Sequence, residues 1–209
     1  MSVDPEIFKA YDVRGKYPDQ MDEAVAYRLG RAFARVLSDL EGKPVPELRV
    51  ALGRDMRLSA PAMAERYARG IADEGAAVID IGMAATEMVY FTVGSRGLDG
   101  GLMCTASHNP KAYTGAKLVR SGALPLSGDA GIGELKEIVQ AGDPVDRVET
   151  PGEISREDVS EEFREAALQY IDTDGIRPAK VVLDGGNGMA GPMIGPILES
   201  LPLERVELY

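Results

Sequence analysis

The sequence predicts an α/β protein: a three-layer α/β/α first domain with a mixed sheet, followed by the incomplete start of a second, similar α/β domain. Helix-type and strand-type hydrophobic patterns alternate along the 209 residues. Hydrophobic residues make up 44% of the chain, which is enough to bury a core. Strands separated by helices favour a sheet covered on both faces, and such sheets bind ligands beyond their strand ends.

The first elements of the chain follow from its hydrophobic spacing. Apolar residues recur at intervals of three and four between Asp22 and Leu40, which predicts an amphipathic helix that Gly42 closes. The stretch LRVALG, residues 48–53, is short and apolar and predicts a buried strand. Ser59 is expected to cap a second helix, and Gly75 follows the end of that helix.

The same alternation continues to residue 142. The stretch AAVIDIG, residues 76–82, predicts a strand, and Thr86 is expected to cap a short helix that reaches about Val93. GGLMCT and GAKLV predict two strands on either side of a polar break, and DAGIGELKEIVQAG, residues 129–142, predicts a further helix. The predicted core of this first domain is formed by Val50, Ile79, Leu102 and Leu118.

A change in composition divides the chain. Prolines, glycines and charges crowd residues 141–158 with almost no apolar periodicity, which predicts a linker between a first domain at 1–150 and a second at 151–209. The second part carries, in order, a helix striped by Val159, Phe163, Ala167 and Tyr170, the strand KVVLDGG, a short apolar helix and the strand RVELY. Because two strands make a poor independent domain, we expect a truncated second domain, with self-association through its unfinished sheet.

Composition also limits the partners. A net charge of -11 argues against nucleic acid and against an anionic membrane surface, although local cations can still bind a small anion. Apolar runs fall short of the roughly 20 residues of a bilayer span, and the N-terminus lacks a signal pattern. Cys104 is the single cysteine and lies in an apolar stretch, so we expect a buried thiol and a cytoplasmic protein.

The polar break places Ser107 beside His108, the only histidine of the chain. An exposed serine hydroxyl can carry a covalent group if the charge it acquires is stabilised, and the alternative is a turn serine bonded to its own backbone. A serine-hydrolase triad fits badly, because the G-x-S-x-G elbow is absent and the histidine adjoins the serine. Phosphoryl transfer fits better, because cations and backbone amides can stabilise its transition state.

Four motifs carry a resemblance to a known family. TASHNP followed by GAKLV, with IFKAYDVRG near the N-terminus and GRDMRLS between, resembles the α-D-phosphohexomutase family in its phosphomannomutase/phosphoglucomutase branch. GMAATEMVYF and VVLDGGNGMAG extend the resemblance along the chain. It implies a four-domain enzyme that interconverts the 1-phosphate and 6-phosphate of mannose or glucose through a phosphoserine, Mg²⁺ and a hexose 1,6-bisphosphate. The chain would be an N-terminal fragment of it, inactive alone.

The resemblance also assigns roles by position. Ser107 would be the phosphorylated residue and would supply a Mg²⁺ ligand through its phosphate, the other ligands lying beyond residue 209. His108 matches a proton-transfer or orienting histidine, and Lys117 matches a lysine that approaches the reacting centre. Tyr11 and Arg14 match residues that line the active site and bind substrate. From the residues alone, a surface salt bridge is the alternative for Arg14.

Other patterns leave alternatives open. Arg54 and Asp55 in GRDMRLS are expected to fix loop architecture rather than to touch substrate. DTDG, residues 172–175, brings together two carboxylates that could bind Mg²⁺, although a helix-ending turn is more typical. A non-catalytic module whose SHNP loop only binds an anion is a further alternative.

A dinucleotide-binding protein is the remaining alternative. Gly186, Gly188 and Gly191 satisfy G-x-G-x-x-G directly after a strand, and Glu204 or Glu207 lies near the distance of a ribose-binding acid. Prolines crowd the following helix, so a tight turn is the simpler role for these glycines.

Overall fold

The computed structural model describes residues 3–142 and 148–209. Within them the chain forms two compact units, Met1–Glu157 and Asp158–Tyr209. The strands of the first unit are β1 (Asp12–Lys16), β2 (Arg49–Arg54), β3 (Ala77–Met83), β4 (Gly100–Cys104), β5 (Tyr113–Arg120), β6 (Leu124–Pro125) and β7 (Ile154–Arg156). Its helices are α1 (Glu23–Glu41), α2 (Ala60–Asp73), α3 (Thr86–Ser95) and α4 (Ile132–Ala141). The second unit contains α5 (Ser160–Leu168), β8 (Ala179–Asp184), α6 (Ala190–Glu199) and β9 (Leu203–Leu208).

The sheet of the first unit is mixed, which confirms the predicted fold class. Within the described residues its strand order is β1-β5-β4-β2-β3-β7, with β6 paired to β5. The strands β4, β2, β3 and β7 run parallel to one another, whereas β5 is antiparallel to both β1 and β4. The carboxyl ends of β2, β3 and β4 therefore open at one edge, where ligand sites form in such sheets.

Helices cover both faces of this sheet and complete the three layers. Buried Val50, Leu102 and Leu118 pack in one core with residues of α1 and α2. Val89 and Val93 of α3 approach the other face at Gly53 and Gly101. The sheet is thus packed against helices on both faces.

The helices α1 and α2 pack unusually closely at a pair of glycines. A Cβ on Gly30 would lie 2.4 Å from the carbonyl oxygen of Tyr67, and one on Gly70 would lie 2.2 Å from that of Tyr27. Glycine costs about 1 kcal/mol in a helix interior relative to alanine. Here the close backbone approach requires it, because any side chain would force the helices apart.

Several element boundaries match the predictions, and others need correction. Asp22 caps α1 by accepting a hydrogen bond from the Val25 N–H at 2.8 Å. Ser59 occupies the N-cap position of α2 as predicted, although no side-chain hydrogen bond caps that helix. The prediction that Thr86 caps α3 is wrong by one position, because Ala85 is the N-cap and Thr86 begins the helix. Ile79 is only half-buried, whereas the neighbouring Val78 is buried, because successive side chains of a strand face opposite sides.

One segment of the predicted linker at 141–158 belongs to the sheet. Residues 143–147 lie outside the described residues. Ile154–Arg156 form β7, which pairs in parallel with β3. Pairing at a sheet edge uses backbone groups and needs no apolar pattern, so the composition did not reveal it. The first unit accordingly extends to Glu157 rather than to residue 150.

The second unit is a short strand–helix–strand arrangement preceded by α5. Its two strands, β8 and β9, pair in parallel. The predicted apolar stripe of α5 is too long, because the helix ends at Leu168 and Tyr170 beyond it is 90% exposed. That this unit is the start of a larger domain stays a prediction. No helix among the described residues is long and apolar enough to cross a membrane.

Candidate active site

The turn between β4 and β5 presents Ser107 to solvent in an unusual backbone conformation. Its φ is 54°, in the left-handed region that non-glycine residues rarely adopt. The Ser107 N–H donates to the hydroxyl of Thr105 at 2.9 Å. That hydroxyl in turn donates to Asp55 Oδ2 at 2.6 Å. Because Thr105 and Asp55 are both buried, they hold the strained backbone in place.

The side chain of Ser107 contacts its sequence neighbour. Ser107 Oγ lies 3.5 Å from His108 Nδ1, at the outer limit of a hydrogen bond. Both side chains are exposed. The hydroxyl is accordingly accessible to a ligand, and the imidazole lies beside it.

Arg57 holds the whole turn from the side of α2. Its side chain is only 11% exposed, and its Nε donates to Asp55 Oδ2 at 3.2 Å. The other two guanidinium nitrogens donate to the backbone carbonyls of Ser107 at 2.9 Å, Asn109 at 2.6 Å, Pro110 at 2.9 Å and Tyr113 at 3.1 Å. Asp55 thus holds the loop, as its position in GRDMRLS suggests, and its cationic partner is Arg57.

The strand β1 brings Arg14 beside Lys117, although the sequence pattern did not predict this strand. Its antiparallel register places Asp12 opposite Lys117 and Arg14 opposite Gly115. A Cβ at Gly115 would lie 2.1 Å from the Val13 carbonyl oxygen, so only glycine allows this approach. The pairing of β1 with β5 therefore determines the position of Arg14.

A buried carboxylate links these two cations. Arg14 Nε donates to Asp12 Oδ1 at 2.9 Å, and Lys117 Nζ lies 3.9 Å from Asp12 Oδ2. Asp12 is buried, and the side chains of Arg14 and Lys117 are 28% and 30% exposed. Arg14 is accordingly more than a surface salt bridge, because its partner is withdrawn from water while part of its guanidinium remains accessible.

Arg14 also lines an open groove beside the Ser107 turn. The groove has a volume of about 640 Å³ and is lined by Glu6, Lys9, Arg14, Lys16, Gln20, Asn109 and Tyr113. Asn109 and Tyr113 belong to the turn that Arg57 holds, so the basic side of the groove and the serine turn adjoin. Tyr11 is not among the lining residues and remains 69% exposed.

Two titratable groups near these residues are perturbed by burial. Burial raises the pKa of the Cys104 thiol far above its usual range, and the negative charge of Asp55 raises it further. Cys104 is buried as predicted and is not positioned as a nucleophile. Burial, followed by the charges of Glu87 and Asp12, also raises the pKa of Tyr90 on α3, which stays a neutral hydroxyl at physiological pH.

Metal-binding side chains are not clustered among the described residues. Among them, no group of three or more His, Cys, Asp or Glu side chains could hold a metal ion. A phosphate on the exposed Ser107 hydroxyl would add one oxygen ligand. In DTDG, Asp172 Oδ1 accepts a hydrogen bond from the Gly175 N–H at 3.3 Å, the contact expected of a turn.

The glycine-rich stretch of the second unit does lie between a strand and a helix. Gly186 has a φ of 53° and shapes the tight turn after β8. The two candidate ribose-binding acids have basic neighbours, since Glu204 lies 2.7 Å from Lys180 Nζ and Glu207 lies 3.3 Å from Arg205 Nε. The positive φ of Gly186 is the conformation that the tight-turn role requires.

Sequence reasoning missed three residues of this site: Arg57, Thr105 and Asp12. All three lie within or beside the motifs GRDMRLS, TASHNP and IFKAYDVRG. A charged residue two positions from another charged residue was the available signal for Arg57 and Asp12. This spacing does not show whether the two charged side chains are exposed or buried. Their burial depends on which distant segments pack against them.

Comparisons with known proteins agree with this architecture. Residues 5–145 match the family model described as phosphoglucomutase/phosphomannomutase, alpha/beta/alpha domain I. The chain is 40% identical over 209 residues to a phosphomannomutase of Salmonella typhimurium, covering 97% of this chain and 44% of that protein. It is 40% identical over 202 residues to a protein of Xanthomonas campestris named phosphohexose mutases, covering 97% of this chain and 43% of that protein.

A solved structure shows the same relation. The phosphoglucomutase/phosphomannomutase family protein of Burkholderia thailandensis is similar with a TM-score of 0.85 and 35% sequence identity. The match covers 99% of this chain and 44% of that protein. This chain therefore spans less than half the length of the relatives it matches.

Proposed function

The chain belongs to the phosphoglucomutase/phosphomannomutase family, and from this membership we propose that it supplies the phosphoserine side of a hexose-phosphate mutase. The complete enzyme would interconvert the 1-phosphate and 6-phosphate of a hexose, mannose or glucose, through a hexose 1,6-bisphosphate. Because the chain spans 44% of a matched relative, we propose this activity for the complete enzyme and expect residues 1–209 alone to be inactive. Its ligand would be a small sugar phosphate rather than nucleic acid or membrane.

The observation that carries the proposal is the presentation of Ser107. Its hydroxyl is exposed on a turn whose backbone is held at both ends, and this turn borders a groove that contains Lys9, Arg14 and Lys16. A hydroxyl held beside a basic groove suits phosphoryl transfer, in which positioning and charge stabilisation supply most of the rate.

The proposed step exchanges one P–O bond for another. Ser107 Oγ forms a bond to the phosphorus of the sugar bisphosphate while the bond from that phosphorus to the sugar oxygen breaks. The serine hydroxyl proton ends on the sugar oxygen, and His108, 3.5 Å from Ser107 Oγ, would pass it on. The reverse step returns the phosphoryl group to the other hydroxyl of the sugar.

Arg14 and Lys117 would stabilise the negative charge that gathers on the transferring oxygens. Asp12 holds both cations, so little reorganisation is needed when that charge develops. Mg²⁺, when bound, would neutralise part of the same charge, with the phosphate of Ser107 as one of its ligands. Tyr11 would contact the sugar from the exposed end of β1.

Intact-mass measurement tests the proposal. After the complete enzyme is incubated with glucose 1,6-bisphosphate or mannose 1,6-bisphosphate, we expect the mass of one added phosphoryl group. Ser107→Ala should abolish both the mass gain and nearly all mutase turnover while folding stays intact, because a loop alanine leaves no cavity. Ser95→Ala, an exposed serine at the end of α3, is the matched control and should behave as the wild type. A wild-type protein that binds the bisphosphate without gaining mass would instead be the non-catalytic anion-binding module.

A further inference from the structure

Arg57 uses every donor of its side chain on Asp55 and on one turn of the backbone. A guanidinium carries five N–H donors in a rigid planar fork. Here Nε bonds to Asp55, and the remaining four donors have four carbonyl acceptors, at Ser107, Asn109, Pro110 and Tyr113. These carbonyls lie about fifty residues away along the chain, with sequence separations of 50 to 56. The fork therefore imposes one shape on the whole segment between β4 and β5.

The two ends of the Ser107 peptide are bound by one linked set of side chains. Its carbonyl accepts from Arg57 at 2.9 Å, and its N–H donates to Thr105 at 2.9 Å. Asp55 Oδ2 joins the two, because it accepts from both the Thr105 hydroxyl and Arg57 Nε. Since the Thr105 proton points to Asp55, a lone pair of its oxygen faces the Ser107 N–H. This arrangement accounts for a non-glycine φ of 54° at Ser107.

Building on the phosphoserine function proposed above, we propose that Arg57, with Asp55 and Thr105, is a positioning residue that sets the direction of the Ser107 hydroxyl for phosphoryl transfer. All of the Arg57 donors are occupied by Asp55 and the turn, so Arg57 acts through Ser107 and not on the sugar phosphate. Lysine cannot replace it, because an ammonium has three donors and no fork. The consequence is kinetic: loss of the fork misplaces Oγ, while the basic side of the groove remains because Asp12 holds Arg14.

The experiment compares Arg57→Lys with Arg49→Lys in the complete enzyme. Arg49 is a matched control, because its Nη2 also donates to loop carbonyls, those of Arg96 and Gly97. It begins β2, at the end of the parallel strands opposite to the Ser107 turn. The readouts are the single-turnover rate at which Ser107 gains a phosphoryl group from glucose 1,6-bisphosphate, the KM for glucose 1-phosphate, and the melting temperature.

We expect Arg57→Lys to slow phosphoryl uptake on the order of 100-fold, since a misplacement of about 1 Å can have an effect of that size. KM and the melting temperature should change little, and Arg49→Lys should keep the wild-type rate. A wild-type uptake rate in Arg57→Lys, or an equal loss in Arg49→Lys, would overturn the proposal. A wild-type enzyme that gains no phosphoryl group contradicts the mutase function itself, so the two failures are distinguishable.

A second pair of variants decides the matter if Arg57→Lys does not fold. Thr105→Val removes the hydroxyl that binds the Ser107 N–H but keeps the shape of the side chain, whereas Thr105→Ser keeps the hydroxyl. We expect slow phosphoryl uptake in Thr105→Val and a rate close to wild type in Thr105→Ser. Equal rates in the two variants would show that the hydrogen-bonded network stabilises the turn without directing the reaction.

Discussion

Replacing Asp12 by alanine should destabilise the first unit measurably, because Asp12 is the buried centre of a three-residue charge cluster. The Arg14 Nε–Asp12 Oδ1 bond, 2.9 Å long, is charge-assisted, and such bonds contribute about 1.5–3 kcal/mol. Lys117 Nζ, 3.9 Å from Asp12 Oδ2 and partly exposed, adds about 0.5 kcal/mol. We therefore expect Asp12→Ala to lower the free energy of unfolding by about 2–3.5 kcal/mol.

Asparagine at the same position separates charge from shape. Asp12→Asn keeps a neutral oxygen that can accept from Arg14, and charge-assisted bonds are about twice as strong as neutral ones, so the loss should be about 1 kcal/mol. A change of 1 kcal/mol lowers the melting temperature by about 2–4 °C in chains of this size, which gives about 4–14 °C for the alanine variant. Urea denaturation and thermal melting measure both quantities.

Asp19 provides a matched control, because it lies in the same segment as Asp12. Asp19→Ala removes an exposed carboxylate shortly after β1 and should change stability by less than about 0.5 kcal/mol. In a double-mutant cycle, Asp12 and Arg14 should show a coupling energy within about 0.5–3 kcal/mol. Equal small losses in Asp12→Ala and Asp19→Ala, or zero coupling, would refute the argument that the buried carboxylate organises these cations.

Two further predictions concern charge and burial. Neutralising Lys117 or Arg14, as Lys117→Met or Arg14→Gln, should lower kcat/KM of the complete enzyme on the order of 10- to 1000-fold, because each change would remove one of the charge-assisted contacts proposed for the transferring group. Steady-state kinetics measure this change in kcat/KM. An unchanged kcat/KM in both variants would show that Lys117 and Arg14 do not act on the transferring group. Because burial raises the pKa of the Cys104 thiol above its ordinary value of 9.0, the native thiol should stay protonated and should not react with a thiol reagent until the chain unfolds. By linkage its contribution to stability is complete below pH 9.0 and decreases as the pH rises further, and Cys104→Ala should flatten that decrease in urea titrations at several pH values.

The sequence by itself determined the elements whose signals are local. The three- and four-residue spacing of apolar side chains predicted α1. Gly42, with a φ of 61°, caps the end of this helix, as predicted. The SHNP break predicted an exposed Ser107 at a turn, because glycine, proline and asparagine act on their own backbone within a few residues. Each of these features depends on residues that are close together in the sequence, so the local sequence is sufficient to predict it.

Only the tertiary structure decided which distant residues meet. The strand β1 exists because Asp12–Lys16 pairs with β5 about a hundred residues later, and β7 exists because it pairs with β3. The fork of Arg57 reaches carbonyls that are 50 or more residues away. The physical reason is that sheet pairing and buried hydrogen bonds depend on backbone groups, which every residue carries and which leave no mark in the local pattern. Long-range contacts therefore bring Arg57 to the Ser107 turn, and they bring Asp12 and Arg14 beside Lys117.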